Sequence, residues 1–279
     1  MSKIVHLTFS IGLSLLTALS NATFGQISPI TKPFVLGLVD AISSKELGET
    51  RTLNIYLPEG YSKDSIATYP VIYLLDGSAD EDFIHIAGLV QFASFPWVKL
   101  LPKSIVVGIA NVDRRRDFTY PTTIGKDKKD FPTTGHSQKF IAFIENELQP
   151  YIQKNYSTNS SKTIIGQSLG GLLATEILFK KPTLFNHYVI VSPSLWWDNE
   201  SLLAISPAFS KPDFQQKTSV FVAVGNEGKV MQADASRLVD LIKKGAAGTT
   251  KTDFHYFTDE NHATIFHLAV YKAFEKLKK

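Results

Sequence analysis

Residues 163–171 constrain the fold of this chain more than any other stretch. Thr163, Ile164 and Ile165 form a short β-branched run, and Gly166-Gln167-Ser168-Leu169-Gly170 follows directly. Leu172, Leu173, Ile177 and Leu178 then continue with helical spacing. A serine flanked by glycines two residues before and after it, between a strand and a helix, marks a strained turn that exposes its hydroxyl above a sheet. The glycines are required because strand and helix approach too closely for side chains. With glycine at about 7% of residues, the pattern arises by chance in roughly one chain of this length in ten. The strand before it and the helix after it are what make it informative.

The rest of the chain supplies a sheet for such a turn. From about residue 32, short apolar runs alternate with amphipathic stretches. Strands are expected at Phe34–Ala41, Thr52–Leu57, Val71–Leu75, Ile105–Ile109, Thr163–Ile165, Tyr188–Val191, Val220–Val224 and Phe254–Phe257. Helices are expected at Phe140–Ile152, with Pro150 a blemish near its end, and at Leu169–Phe179, Ala235–Ile242 and Thr264–Leu277. The class is α/β, and the fold expected is the α/β-hydrolase fold: a mostly parallel sheet flanked by helices in three layers. Residues 111–137 carry no clear periodicity, and together with 193–215 they are expected to arch over the carboxyl ends of the strands, where α/β sheets place their sites.

A serine hydroxyl is a weak nucleophile and needs a base and an orienting acid. In this fold the partners follow in the order serine, acid, histidine. Of seven histidines, His262 alone sits in a loop after the last strand and before the final helix, which makes it the candidate base. Glu227, just past the Val220–Val224 strand, is the candidate acid, with Asp234 in the same connection as the reserve. Asp259 and Glu260 stand too close to His262 in sequence to orient its far nitrogen. Attack on an ester builds charge on the carbonyl oxygen, so two backbone N–H groups should face it. Leu169 supplies one at a helix start, and the loop Asp76-Gly77-Ser78 supplies the other, with Ser78 the expected donor.

Composition bounds the rest. The chain has 279 residues, 44% of them hydrophobic, enough for one large core. A net charge of +3 gives no electrostatic case for nucleic acid or an anionic membrane surface. Lys3 followed by the apolar run Ile11–Leu19 reads as a signal peptide over residues 1–25, leaving 26–279 as a single catalytic domain. The mature protein is then expected in the periplasm or outside the cell, not in the membrane. The absence of cysteine excludes disulfides, a thiol nucleophile and a thiolate metal site.

Four segments together resemble one family: Tyr73-Leu74-Leu75-Asp76-Gly77, Asn111-Val112-Asp113-Arg114 with Arg116-Asp117, the Gly166–Gly171 elbow, and Ser192-Pro193-Ser194-Leu195-Trp196-Trp197. It is the esterase family that includes enterobactin-type siderophore esterases, esterase D and the antigen 85 mycolyltransferases. The resemblance implies a small-molecule ester substrate and a Ser-acid-His hydrolase without cofactor or metal. It also implies an oxyanion donor after Asp-Gly, at Ser78, and a glutamate as acid, which fits Glu227. Asp-Gly is followed by Ser78-Ala79-Asp80 without an arginine, unlike antigen 85, which argues against mycolyl transfer. Arg114, Arg115 and Arg116 leave two readings open. Arg114 or Arg116 holds an anionic or catechol-bearing substrate, or the arginines pair with Asp113, Asp117 or Asp130. Trp196 and Trp197 either wall the pocket or belong to the core. A siderophore trilactone is the leading substrate class. An acyltransferase or carbohydrate-ester (feruloyl or acetyl) hydrolase with the same triad, and a silent binding protein on the same fold, are the rivals.

Overall fold

Among the described residues, eight strands form one sheet in the order β1-β2-β4-β3-β5-β6-β7-β8. They are β1 (Leu38–Ser44), β2 (Glu49–Tyr56), β3 (Tyr69–Leu74), β4 (Ile105–Ile109), β5 (Thr158–Gln167), β6 (His187–Val191), β7 (Thr218–Gly225) and β8 (Thr250–Phe257). The computed structural model describes residues 31–245 and 248–277, so the signal-peptide expectation lies outside the described residues. All strands and helices belong to the unit Leu36–Lys279. β1 and β2 pair antiparallel with each other, and β2 with β4; every other pairing is parallel. This is the α/β-hydrolase fold, reached because consecutive strands buried on both faces need helical crossovers.

The period of two along the strands divides the core. Val71, Tyr73 and Leu75 face a cluster with α4 (Ser137–Phe143), α6 (Leu169–Lys180) and α7 (Lys229–Gly245). Ile72 and Leu74 face a second cluster with α1 (Phe83–Ala93) and α8 (Ile265–Leu277).

Three departures from the sequence reading have local causes. β1 begins at Leu38 rather than Phe34 and runs on to Ser44, because the turn at 45–48, with Gly48 at φ 69°, fixes the hairpin register from Ser44↔Glu49 to Leu38↔Ile55. Residues 111–137 contain two short helices, α2 (Arg114–Phe118) and α3 (Gly125–Asp130); Asp113 caps α2 by accepting from Arg116 N at 3.0 Å. The helix at 140–152 is real but interrupted. A π segment at Ile144–Leu148 separates α4 from α5 (Gln149–Asn155), with Gln149 N donating to Ile144 O. The wider turn lets Pro150 start a new helix instead of clashing with the old one.

The segments leaving β4 and β6, the two stretches expected over the carboxyl ends, are laced together. Trp197 Nε1 donates to Tyr120 O at 2.9 Å, and Asp198 accepts from Thr123 N at 2.6 Å and Thr122 Oγ1 at 3.1 Å. Burial pushes the Asp198 carboxyl up, but these donors outweigh it and hold it below the usual range.

Candidate active site

Ser168 stands between β5 and α6 with φ 58° and ψ −119°, a conformation hostile to a residue with a side chain. Neighbours over-determine it. Ser168 N donates to Val191 O at 3.1 Å, and Ser168 O accepts from Leu172 N at 2.9 Å and Ser194 N at 3.0 Å. The elbow glycines are sterically obligatory: a Cβ on Gly166 would run into Gly170 O, and one on Gly171 would lie 2.9 Å from Pro193 Cα.

The two triad partners predicted after β7 and β8 meet. His262 Nδ1 lies 2.6 Å from Glu227 Oε2. Glu227 Oε1 accepts from Gly225 N at 2.8 Å and from Ser192 Oγ at 2.5 Å. Burial alone would raise the Glu227 carboxyl, but its bonds with His262, Ser192 and Gly225 together hold it below the usual range. The His262 loop is pinned at both ends of its reach: Gln167 Nε2 donates to His262 O at 2.5 Å, and Asn226 N donates to Glu260 O at 2.7 Å. Asp234, the reserve acid, is buried on α7, and among the described residues no hydrogen bond or ion pair joins it to His262.

Ser168 Oγ lies 3.2 Å from Ser194 Oγ, and no hydrogen bond joins it to His262 in this conformation. Such bonds tighten only when a substrate fills the site. Of the expected oxyanion donors, Leu169 opens α6, where a helix has no acceptor of its own for the N–H. Ser78 N donates to Glu81 Oε2 at 3.3 Å. The Ser78 loop is seated by close backbone approach: Gly77 N donates to Ile109 O at 3.0 Å, and a Cβ on Gly108 would lie 2.5 Å from Gly77 O.

The structure shows what the arginines and tryptophans touch. Arg114 forks onto Asp76, with Nε–Oδ1 2.6 Å and Nη2–Oδ2 2.9 Å, and reaches Gln167 O at 3.3 Å. Its partner is therefore Asp76, which was not among the expected acids, and its donors also reach the elbow. Arg116 pairs with Glu49 at 2.6 Å and Asp117 at 2.8 Å, in a network that the fully buried Arg51 joins through Asp117. Arg115 lies over the Phe131 ring at 4.8 Å. Trp197 is wholly buried and belongs to the core, not to a pocket wall. Trp196 is half-buried, tilted against Phe131 at 6.3 Å.

Among the described residues, no group of three or more His, Cys, Asp or Glu is arranged to hold a metal ion, and no helix is long and apolar enough to cross a membrane.

Comparison with known proteins gives this geometry a lineage. The model of the family described as "Putative esterase" matches residues 44–266. The chain belongs to this esterase family. The esterase is 29% identical over 245 residues to ferri-bacillibactin esterase BesA of Bacillus subtilis, covering 81% of this chain and 84% of that one. It is similar in structure to an IroE-like serine hydrolase from Shewanella oneidensis, with TM-score 0.79, 32% identity, and 86% and 79% of the two chains covered. The BES protein of Bacillus cereus superposes with TM-score 0.77 at 29% identity, over 89% of this chain and 98% of that one. The esterase is thus a carboxylic ester hydrolase.

Proposed function

We propose that the enzyme is a serine esterase that opens siderophore esters through an acyl-enzyme on Ser168. The observation that carries this reading is the 2.6 Å contact of His262 Nδ1 with Glu227 Oε2, beside a serine held at positive φ. With Nδ1–H donated to the carboxylate, Nε2 is the nitrogen left to take a proton. Ser168 Oγ attacks the ester carbon as its proton passes to Nε2, and the carbonyl oxygen becomes an oxyanion. The N–H groups of Leu169 and Ser78 are assigned to it. Ser78 N releases only a long bond to Glu81 in doing so. Collapse of the intermediate expels the alcohol, which takes the proton from His262. Water then gives a proton to Nε2 and attacks the acyl carbon, freeing the acid and Ser168.

The substrate class draws its support from relatives. BesA is named for ferri-bacillibactin, and a relative from Aspergillus fumigatus, 30% identical over 168 residues and covering 56% of each chain, is named siderophore triacetylfusarinine C esterase. The test compares wild type with Ser168→Ala, His262→Ala and Glu227→Ala on short p-nitrophenyl esters and on an iron-loaded cyclic triester siderophore. Loss of at least ~10³-fold in kcat for the first two variants is expected. A wild type that is inactive and unlabelled by a fluorophosphonate overturns the reading; one active on aryl esters alone overturns only the substrate.

A further inference from the structure

Ser192 follows β6 and belongs to a motif, Ser192-Pro193-Ser194, whose first side chain the triad chemistry leaves unused. It is wholly buried and holds φ 43°, where glycine would sit without strain. Ser192 N donates to Ala223 O at 2.8 Å, which fixes its backbone to the end of β7. Its hydroxyl then lies 2.5 Å from Glu227 Oε1, and beside an ionised carboxylate a hydroxyl can only donate.

We propose that Ser192 is a positioning residue: by donating to Glu227 Oε1, its hydroxyl sets the plane of the carboxylate so that Oε2 meets His262 Nδ1. The inference rests on the Glu227–His262 reading above. Glutamate carries three side-chain torsions, and the last is broad, so a backbone alone does not fix where its oxygens lie. Gly225 N, at 2.8 Å, is the other donor to Oε1, and one bond leaves the carboxylate free to pivot about it. Two donors converging from β6 and β7 remove that freedom. They also stabilise the charge of a side chain only 3% exposed, which a buried carboxylate requires. The low-lying Glu227 carboxyl is consistent with this.

The test is Ser192→Gly, which deletes the hydroxyl at a positive φ that glycine tolerates, with circular dichroism and Tm to verify folding. A fall of about 10- to 100-fold in kcat is expected, the rate equivalent of one hydrogen bond to a charged group, with KM little changed. The acid limb of the kcat profile should move to higher pH, since Glu227 loses a donor to its ionised form. In a Glu227→Gln background, Ser192→Gly should cost less than about threefold, because the two act as one unit. A merely structural role would lower activity evenly across pH and add to Glu227→Gln. Either that pattern or a Ser192→Gly enzyme with wild-type kcat and acid limb overturns the proposal while leaving the Ser168–His262 reading intact. If Glu227→Gln itself keeps full activity, the acid assignment and this proposal fall together.

Discussion

Replacing Arg114 by Met keeps most of the aliphatic stem and removes the guanidinium fork. The pair it forms with Asp76 is bidentate, with the arginine side chain 33% and the aspartate 13% exposed. Exposed pairs contribute about 0.2–1 kcal/mol, and breaking a buried one costs about 3–5 kcal/mol. This half-buried pair belongs between, at about 2 kcal/mol, since Asn111 Nδ2 still donates to Asp76 Oδ1 at 2.7 Å. A domain of this size loses about 2–4 °C of Tm per kcal/mol, so a drop of about 4–8 °C follows.

The kinetic effect is more diagnostic. Asp76, at φ 55°, opens the loop that carries Ser78, and Arg114 ties it to Gln167, the residue before Ser168. Under the proposed mechanism, loosening that tie shifts the Ser78 N–H relative to Ser168, and a displacement of about 1 Å can cost about 10²-fold. The expected result for Arg114→Met is a kcat lower by about 10- to 100-fold, with KM within about threefold. The loss should be equal for a neutral aryl ester and a carboxylate-bearing one of the same length. Arg114→Lys should recover only part of it, because a point charge cannot replace the fork. Steady-state kinetics on the two esters decides the matter. A KM raised at least tenfold for the anionic ester, with the neutral ester unaffected, would refute the bracing role and make Arg114 a substrate ligand.

Two further outcomes follow from the same contacts. Asp234 is 3% exposed with Oδ2 unpartnered, and burial first, then the charge of Glu200, pushes its carboxyl up to about 6. The folded value lies above the ordinary unfolded one of about 3.9, so this group contributes stability at low pH that is lost as pH rises from about 4 to about 6. Asp234→Asn should therefore be more stable than wild type by about 1–2 kcal/mol at pH 7.5 and show no gain near pH 4, measured by urea denaturation; parallel curves across that window would sink the argument. Gly171→Ala brings a Cβ to 2.9 Å from Pro193 Cα and 3.0 Å from Val191 O, so the Ser192–Ser194 segment must move off the elbow. A kcat reduced at least tenfold in a folded protein is expected, and wild-type turnover would show that the segment can shift harmlessly.

The sequence made the elbow legible because its rule is local: a tight strand–helix turn needs small residues at fixed offsets from the serine. That His262 and Glu227 lie in contact could be expected from chain order and from the ends of strands. Ser192 could not, because its function depends on where β6 and β7 end relative to each other, which is a matter of sheet register. The helix α1 escaped for a different reason. Its run Phe-Ile-His-Ile-Ala-Gly-Leu-Val-Gln-Phe-Ala is apolar on nearly every side, with Ile84 and Phe92 exposed, so no periodic stripe marks its buried face. Trp196 and Trp197 look alike in sequence, yet Trp197 is fully buried and Trp196 only half, a division that the lacing to Tyr120 decides.

The three consecutive arginines show how little rotation separates one role from another. At 3.6 residues per turn, Arg114 and Arg116 project about 200° apart on α2, so they cannot serve the same partner. Arg114 turns toward Asp76 and the elbow, while Arg116 turns toward Glu49, Asp117 and the buried Arg51. Arg115, between them, reaches the Phe131 ring and Asp130 O. One short helix, capped by Asp113, thereby ties three regions together: the loop that starts at Asp76, the β2 strand, and the segment that ends α3. The contacts these three side chains make within the protein hold these regions in place.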